Sequence, residues 1–163
     1  PRVLSFDQQA QIQLEPQRFV LPDGRIDMPA LMRAWQEFWR EDGHLAARGF
    51  AYREAGPHLM LMAFLQRVIN GGGKINREYA LGRGALDLLI EFHGERQAIE
   101  IKLRRGERTR ELGLAQLHRY LDELGLALGW LVIFDRRKGL TWEQRLTNEE
   151  VLYQGKTIHI IGC

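Results

Sequence analysis

Cysteine is almost absent from this chain: a single residue, Cys163, stands among 163. A lone cysteine closes no intramolecular disulfide and builds no cysteine-based metal cluster, so a folded state has to rest on a hydrophobic core. A reducing, cytoplasmic location is the expectation that follows. Long apolar runs are missing as well. Nothing approaches the roughly 20 residues that cross a bilayer, and no signal-peptide pattern opens the chain, so no membrane partner is expected. Lysine is scarce: Lys74, Lys102, Lys138 and Lys156 are the whole set, and the remaining basic residues are arginine. No G-x-x-x-x-G-K-[ST] loop occurs, so this segment is not itself an ATPase. His44, His93, His118 and His159 are too scattered to suggest a zinc site.

What remains is the composition of a folded globular domain, 45% apolar and 27% charged. The net charge of +2 is too mild to select a nucleic-acid partner by itself. Arginine suits bidentate phosphate contacts, but a bias of the source genome would produce the same excess.

Residues 1–49 read as a lead-in with a turn ("LPDGRID") and one helix, and 50–163 as the main domain. Asp27 is placed to cap a helix through "MPALMRAWQEFWRED", with Leu31, Trp35, Phe38 and Trp39 as its apolar stripe and Gly43 as its end. A second helix runs from about Arg53 to Asn70, with Leu59, Met62, Ala63, Leu65, Gln66 and Ile69 at helical spacing, until "GGG" stops it. Strands follow: "KINREYAL", "ALDLLIEF" and "QAIEIKL", joined by "GRG" and "HGER". "TRELGLAQLHRYLDELG" returns to helical period, burying Leu114, Leu117, Leu121 and Leu124. "LGWLVIFD" reads as a buried strand, "TWEQRLTNEEV" as partly helical and "KTIHIIG" as a last strand. The fold class expected is α/β, a mixed central sheet flanked by helices.

Period-two alternation in "QAIEIKL" puts Ile99, Ile101 and Leu103 on one face and Glu100 and Lys102 on the other. If all four residues of "HGER" make the turn, Phe92 faces Gln97 and Asp87 faces Lys102, with Glu100 one diagonal step away. Two readings of that face stand side by side. It is a solvated surface with an ordinary ion pair, or it is a pair of hard oxygen ligands suited to magnesium or manganese with a lysine beside them.

The series "GRGALDLLIEF…QAIEIKL…AQLHRYL" resembles the PD-(D/E)XK nuclease superfamily, with Asp87, Glu100 and Lys102 at its signature positions and Leu86 in place of the family's proline. Gln116 and Tyr120 match the Q-x-x-x-Y helix motif of the RecB-like branch. The stretch from "YREAGPHLM" through "ALDLLI", with "TWEQRL…GKTIHIIG", is further similar to the C-terminal nuclease-like domain of bacterial AAA-type ATPase proteins. That likeness implies a restriction-endonuclease-like core and a chain that is the C-terminal piece of a larger protein with an N-terminal ATPase module. It agrees with a first residue, Pro1, that is not methionine.

The resemblance implies metal-dependent hydrolysis of DNA. Asp87, Glu100 and the Ile101 carbonyl would hold one or two Mg²⁺ or Mn²⁺ ions, and Lys102 would orient or activate the attacking water. Gln116 and Tyr120 would support the site or the substrate. Glu54, Glu78 and His58 are further candidate ligands, Glu54 being preferred of the two acids; Glu78 and His58 have ordinary alternatives, a salt bridge to Arg77 or Arg83 for Glu78 and a core or boundary position for His58. Arg83, Arg104, Arg105, Arg108 and Arg110 are candidate phosphate contacts, or simply a flexible turn and a solvated basic loop. The rival function is a nuclease-fold module that binds or oligomerises without catalysis. The sequence does not separate DNA from RNA, and a homo-oligomer stays open.

Overall fold

The computed structural model describes residues 16–44, 55–69, 72–82 and 84–163; Glu54 and Arg83 lie outside the described residues. In chain order the elements are α1 (Met28–Phe38), α2 (Ala55–Ile69), β1 (Gly73–Leu81), β2 (Gly84–Phe92), β3 (Glu95–Leu103), α3 (Thr109–Leu124), β4 (Leu128–Phe134), α4 (Trp142–Arg145), β5 (Asn148–Tyr153) and β6 (Lys156–Gly162). The strands form one mixed sheet in the order β1-β2-β3-β4-β6-β5. β3 and β4 are parallel because α3 carries the chain back over the sheet between them.

Each helix forms for a local reason. Asp27 caps α1 by accepting the Ala30 N–H at 3.2 Å, and Pro29 sits in the first turn, where its missing donor costs nothing. A π-helical turn, Trp39–Gly43, then extends α1. α2 buries Leu61, Phe64, Leu65 and Val68, the i, i+3, i+4, i+7 set with the greater apolar volume. Ala63 and Gln66, expected on that stripe, are exposed. α3 buries the four expected leucines, Leu114, Leu117, Leu121 and Leu124, and Gly125 ends it in the left-handed conformation at φ 70°.

The two faces of the sheet have separate cores. α1 and α2 pack on the side carrying Leu88, Ile90, Phe92, Ile99, Ile101 and Val132. α3 packs on the other, against Leu89, Ala98, Leu131, Ile158 and Ile160. Each leucine that is fully buried there contributes about 1.5–3 kcal/mol.

Besides Ala63 and Gln66, two expectations from the sequence need correction. The β2–β3 turn uses two residues rather than four: His93 (φ 48°) and Gly94 (φ 82°) are both left-handed, and Phe92 pairs with Glu95. Both central residues in that region are what a tight hairpin requires. The register therefore shifts by two residues, and Asp87 lies opposite Glu100, not opposite Lys102. An even shift keeps every side chain on its face, so the core pattern survives. The second correction is β5, which lies within and beyond a segment expected to be partly helical. Only Trp142–Arg145 is helical, with a capping box between Thr141 and Gln144. Asn148–Tyr153 is an edge strand hairpinned to β6 through Gln154 and Gly155. Its three leading residues, Asn148, Glu149 and Glu150, are poor strand formers and exposed, so tertiary pairing rather than propensity makes it a strand.

Candidate active site

The face of β2 and β3 that meets α3 carries Asp87, Glu100 and Lys102. Alternation along each strand puts them with Leu89 and Ala98, and the closing register brings the two acids together. Asp87 Oδ2 accepts the backbone N–H of Ile101 at 2.8 Å, which fixes this carboxylate against β3. Lys102 Nζ donates to Gln116 Oε1 at 2.5 Å, and Gln116 Nε2 donates to the Tyr120 hydroxyl at 3.0 Å. Gln116 and Tyr120, one turn apart on α3, thus make a short polar chain ending on the lysine. Tyr120 is itself buried, so its ring anchors the chain in the core.

Glu100 is the unusual member. It is 2% exposed, and its Oε2 has no hydrogen-bond partner. Burial pushes its carboxyl up to about 10, helped by a hydrogen bond to Asp87 and by that neighbour's charge; Lys102 and Arg119 pull the other way. Without a further cation, Glu100 therefore holds a proton at neutral pH. An unpartnered acceptor is an expensive thing to bury and marks a place where a partner fits.

A divalent ion fits that place by its chemistry. Two carboxylates on neighbouring strands offer hard oxygen donors, and one of them has a free oxygen. Such an ion would reverse the local balance that keeps Glu100 protonated. Among the described residues no group of three or more His, Cys, Asp or Glu forms, so the remaining positions would fall to the Ile101 carbonyl, water or substrate.

The other candidates are placed as follows. His58 is on α2, the helix that covers the opposite face of the sheet, and is not brought to the pair. Glu78 is exposed on β1 with a left-handed backbone at φ 46°. Its neighbours Arg77 and Tyr79 pair with Leu88 and Leu86, so it occupies the position across from Asp87 on the adjacent strand. Arg104, Arg105, Arg108 and Arg110 lie exposed on and after the loop from β3 to α3. Arg104 is 3.9 Å from Asp135, and Arg110 pairs with Glu149 at 2.5 Å.

From the sequence, Gly84 is singled out only as part of a flexible turn beside Asp87, and Arg119 is not singled out at all. Gly84 begins β2 so close to α3 that a Cβ there would lie 2.6 Å from the Tyr120 hydroxyl. The Arg119 guanidinium carbon lies over the Tyr120 ring, 5.2 Å from its centroid. The signal for Arg119 was present, since it directly precedes the tyrosine of the Q-x-x-x-Y motif.

Residues 53–150, more than half of the chain, match the family described as the endonuclease NucS C-terminal domain. The chain belongs to that family. The mixed sheet with its flanking helices is the restriction-endonuclease-like fold of this endonuclease NucS C-terminal domain family. The matched span contains Asp87, Glu100, Lys102, Gln116 and Tyr120 together. Comparison with curated proteins and with solved structures finds no match. No helix among the described residues is long and apolar enough to cross a membrane.

Proposed function

We propose that this chain is a DNA nuclease domain that hydrolyses phosphodiester bonds with the help of Mg²⁺ or Mn²⁺, acting as part of a larger protein with an ATPase module. The observation that carries the reading is the meeting of Asp87, a buried Glu100 with an unpartnered oxygen, and Lys102 on one face of one hairpin.

Asp87, Glu100 and the Ile101 carbonyl would hold the ion, which when bound polarises a phosphoryl oxygen and lowers the pKa of a water. The chain's own groups do the rest. The Asp87 carboxylate is already held in place by the Ile101 N–H, so little ordering is left to be done on binding. Lys102 gives one N–H to Gln116 and keeps its others for the attacking water or for the charge developing on the phosphoryl oxygens. Gln116 is oriented by Tyr120, so its carbonyl rather than its amide nitrogen faces the lysine. The arginines of the β3–α3 loop, with Arg83, would contact the backbone on either side of the cut.

Family membership supports the nuclease reading; DNA as the substrate, the metal and the ATPase module rest on the residues and on the resemblance. The test is cleavage of single-stranded, duplex and branched DNA by the parent chain with Mg²⁺ or Mn²⁺, beside Asp87→Ala and Lys102→Ala. Cleavage by the parent and loss in both variants is the expected result. A Lys102→Ala chain that cuts at the parental rate would end the assigned mechanism. A second reading, a nuclease-fold module that binds without cutting, is favoured by the near-complete burial of Glu100. Metal-independent DNA binding with no cleavage under any of these conditions would select it.

A further inference from the structure

We propose that Arg119 is a phosphate-binding residue of this site, gripping a backbone phosphate of the nucleic acid where α3 meets the start of β2; the proposal rests on the nuclease reading above. Arg119 lies on α3 three residues after Gln116 and directly before Tyr120, so about one turn of helix carries all three side chains. Its guanidinium lies over the Tyr120 ring, with 5.2 Å to the centroid. The ring belongs to a buried side chain and forms a fixed platform. The backbone at the start of β2 closes on both side chains: a Cβ on Gly84 would be 3.2 Å from Arg119 Nη2 and 2.6 Å from the Tyr120 hydroxyl. Nothing larger than glycine fits there without displacing the guanidinium or the tyrosine.

The head group is thus held in position while its residue stays exposed. None of the ion pairs among the described residues includes it, whereas Arg104, Arg110 and Arg137 each have a carboxylate neighbour. The Arg119 head group lies against Gly84, three residues before Asp87 on β2, so it stands at the end of the hairpin that carries the acids; its charge also lowers the Glu100 carboxyl. A guanidinium held over an aromatic ring by a cation–π contact keeps N–H donors free for phosphate oxygens, which it can take in pairs. Two acids and a lysine supply chemistry, but without metal the pair offers a polyanion no attractive charge and the Asp87 carboxylate repels it. A held arginine at the rim offers the backbone a cation that does not depend on the metal.

Fluorescence anisotropy with a short labelled DNA duplex in EDTA, over a range of salt concentrations, tests this with the 163-residue chain. Arg119→Ala, Arg119→Lys and Lys102→Ala are compared with the parent, each checked for an unchanged melting temperature. Arg119→Ala is expected to bind roughly 10-fold more weakly at moderate salt. The slope of log K against log salt should fall by about 0.9, the release of one phosphate's counterion. Arg119→Lys should recover the slope but only part of the affinity, because an ammonium makes a point contact. With Mg²⁺, Arg119→Ala should also cut roughly 10-fold more slowly. Parental affinity and slope in Arg119→Ala overturn the proposal, even if cleavage falls, since the side chain would then act only by positioning Tyr120 or Glu100. If the parent binds and cuts while Lys102→Ala does not, that failure belongs to Arg119 alone. A parent that neither binds nor cuts overturns the nuclease reading together with this one.

Discussion

The Asp87 carboxylate takes the backbone N–H of Ile101 at 2.8 Å, one step beyond the last paired residues of the β2–β3 ladder, Leu88 and Ile99. A side chain has replaced a strand carbonyl as acceptor. The same bond stabilises the hairpin and holds the acid across from Glu100.

Removing that acceptor and removing that charge should therefore be separable. Asp87→Ala leaves the Ile101 N–H without its acceptor and is expected to lose about 1–3 kcal/mol of stability. Asp87→Asn keeps an acceptor oxygen and should melt close to the parent. Both should lose most Mn²⁺ binding by calorimetry. Equal melting temperatures for the two variants would show that the bond to Ile101 carries no weight in the fold.

Glu100 makes stability depend on pH in a definite direction. Its folded value, pushed to about 10, lies above its ordinary value of 4.5, so the native state binds the extra proton in between. Stability contributed by the protonated form is full below about 4.5 and is lost as pH rises toward 10. The slope is at most about 1.4 kcal/mol per pH unit. Melting of the metal-free parent between these limits should fall more steeply with pH than that of Glu100→Gln. A parallel course for the two proteins would place the titration elsewhere.

The same proton should leave when a divalent ion binds. Mn²⁺ titrations at neutral pH in buffers of different ionisation enthalpy should report about one proton released. No dependence on the buffer, with binding intact, would mean that Glu100 is already ionised.

Tyr120→Phe removes the hydroxyl that accepts from Gln116 Nε2, and Gln116→Ala removes the link itself. Each should slow cleavage while Mn²⁺ affinity stays near parental, because neither group belongs to the pair of acids. Tyr120→Phe should cost about 1 kcal/mol in urea melts. A large fall in Mn²⁺ affinity in either variant would move these residues into the metal's own shell.

Cys163 is buried, accepts from the Trp35 indole N–H at 3.2 Å, and has its thiol pushed up to about 12 by burial. A thiol-specific reagent at pH 8 should label it only after denaturation, since the thiolate is the reactive form. Labelling of the native protein at the rate of a free thiol would contradict that burial.

Much of the site could be read along the chain, because period two and period 3.6 decide which side chains share a face before any partner is known. Glu100 and Lys102 had to fall on one side of β3, and Gln116 had to lie one turn from Tyr120 on α3. The four leucines of α3 had to point inward together. The α2 stripe was misread where small or polar residues at helical spacing were counted beside larger apolar ones, and burial went to Leu61, Phe64 and Val68.

Pairing was decided only in three dimensions. His93 adopts a left-handed backbone to close a two-residue turn, and that one conformation sets Asp87 opposite Glu100. β5 exists because β6 offers it an edge, and no local preference of Asn148–Glu149–Glu150 announces it. The burial of Glu100, the platform under Arg119 and the approach of Gly84 to Tyr120 all depend on α3 lying across the hairpin. Local sequence fixes which residues face the same way, since dihedral periodicity is a short-range property. How far apart they stand, and how much water remains between them, is set by packing between elements distant in the chain.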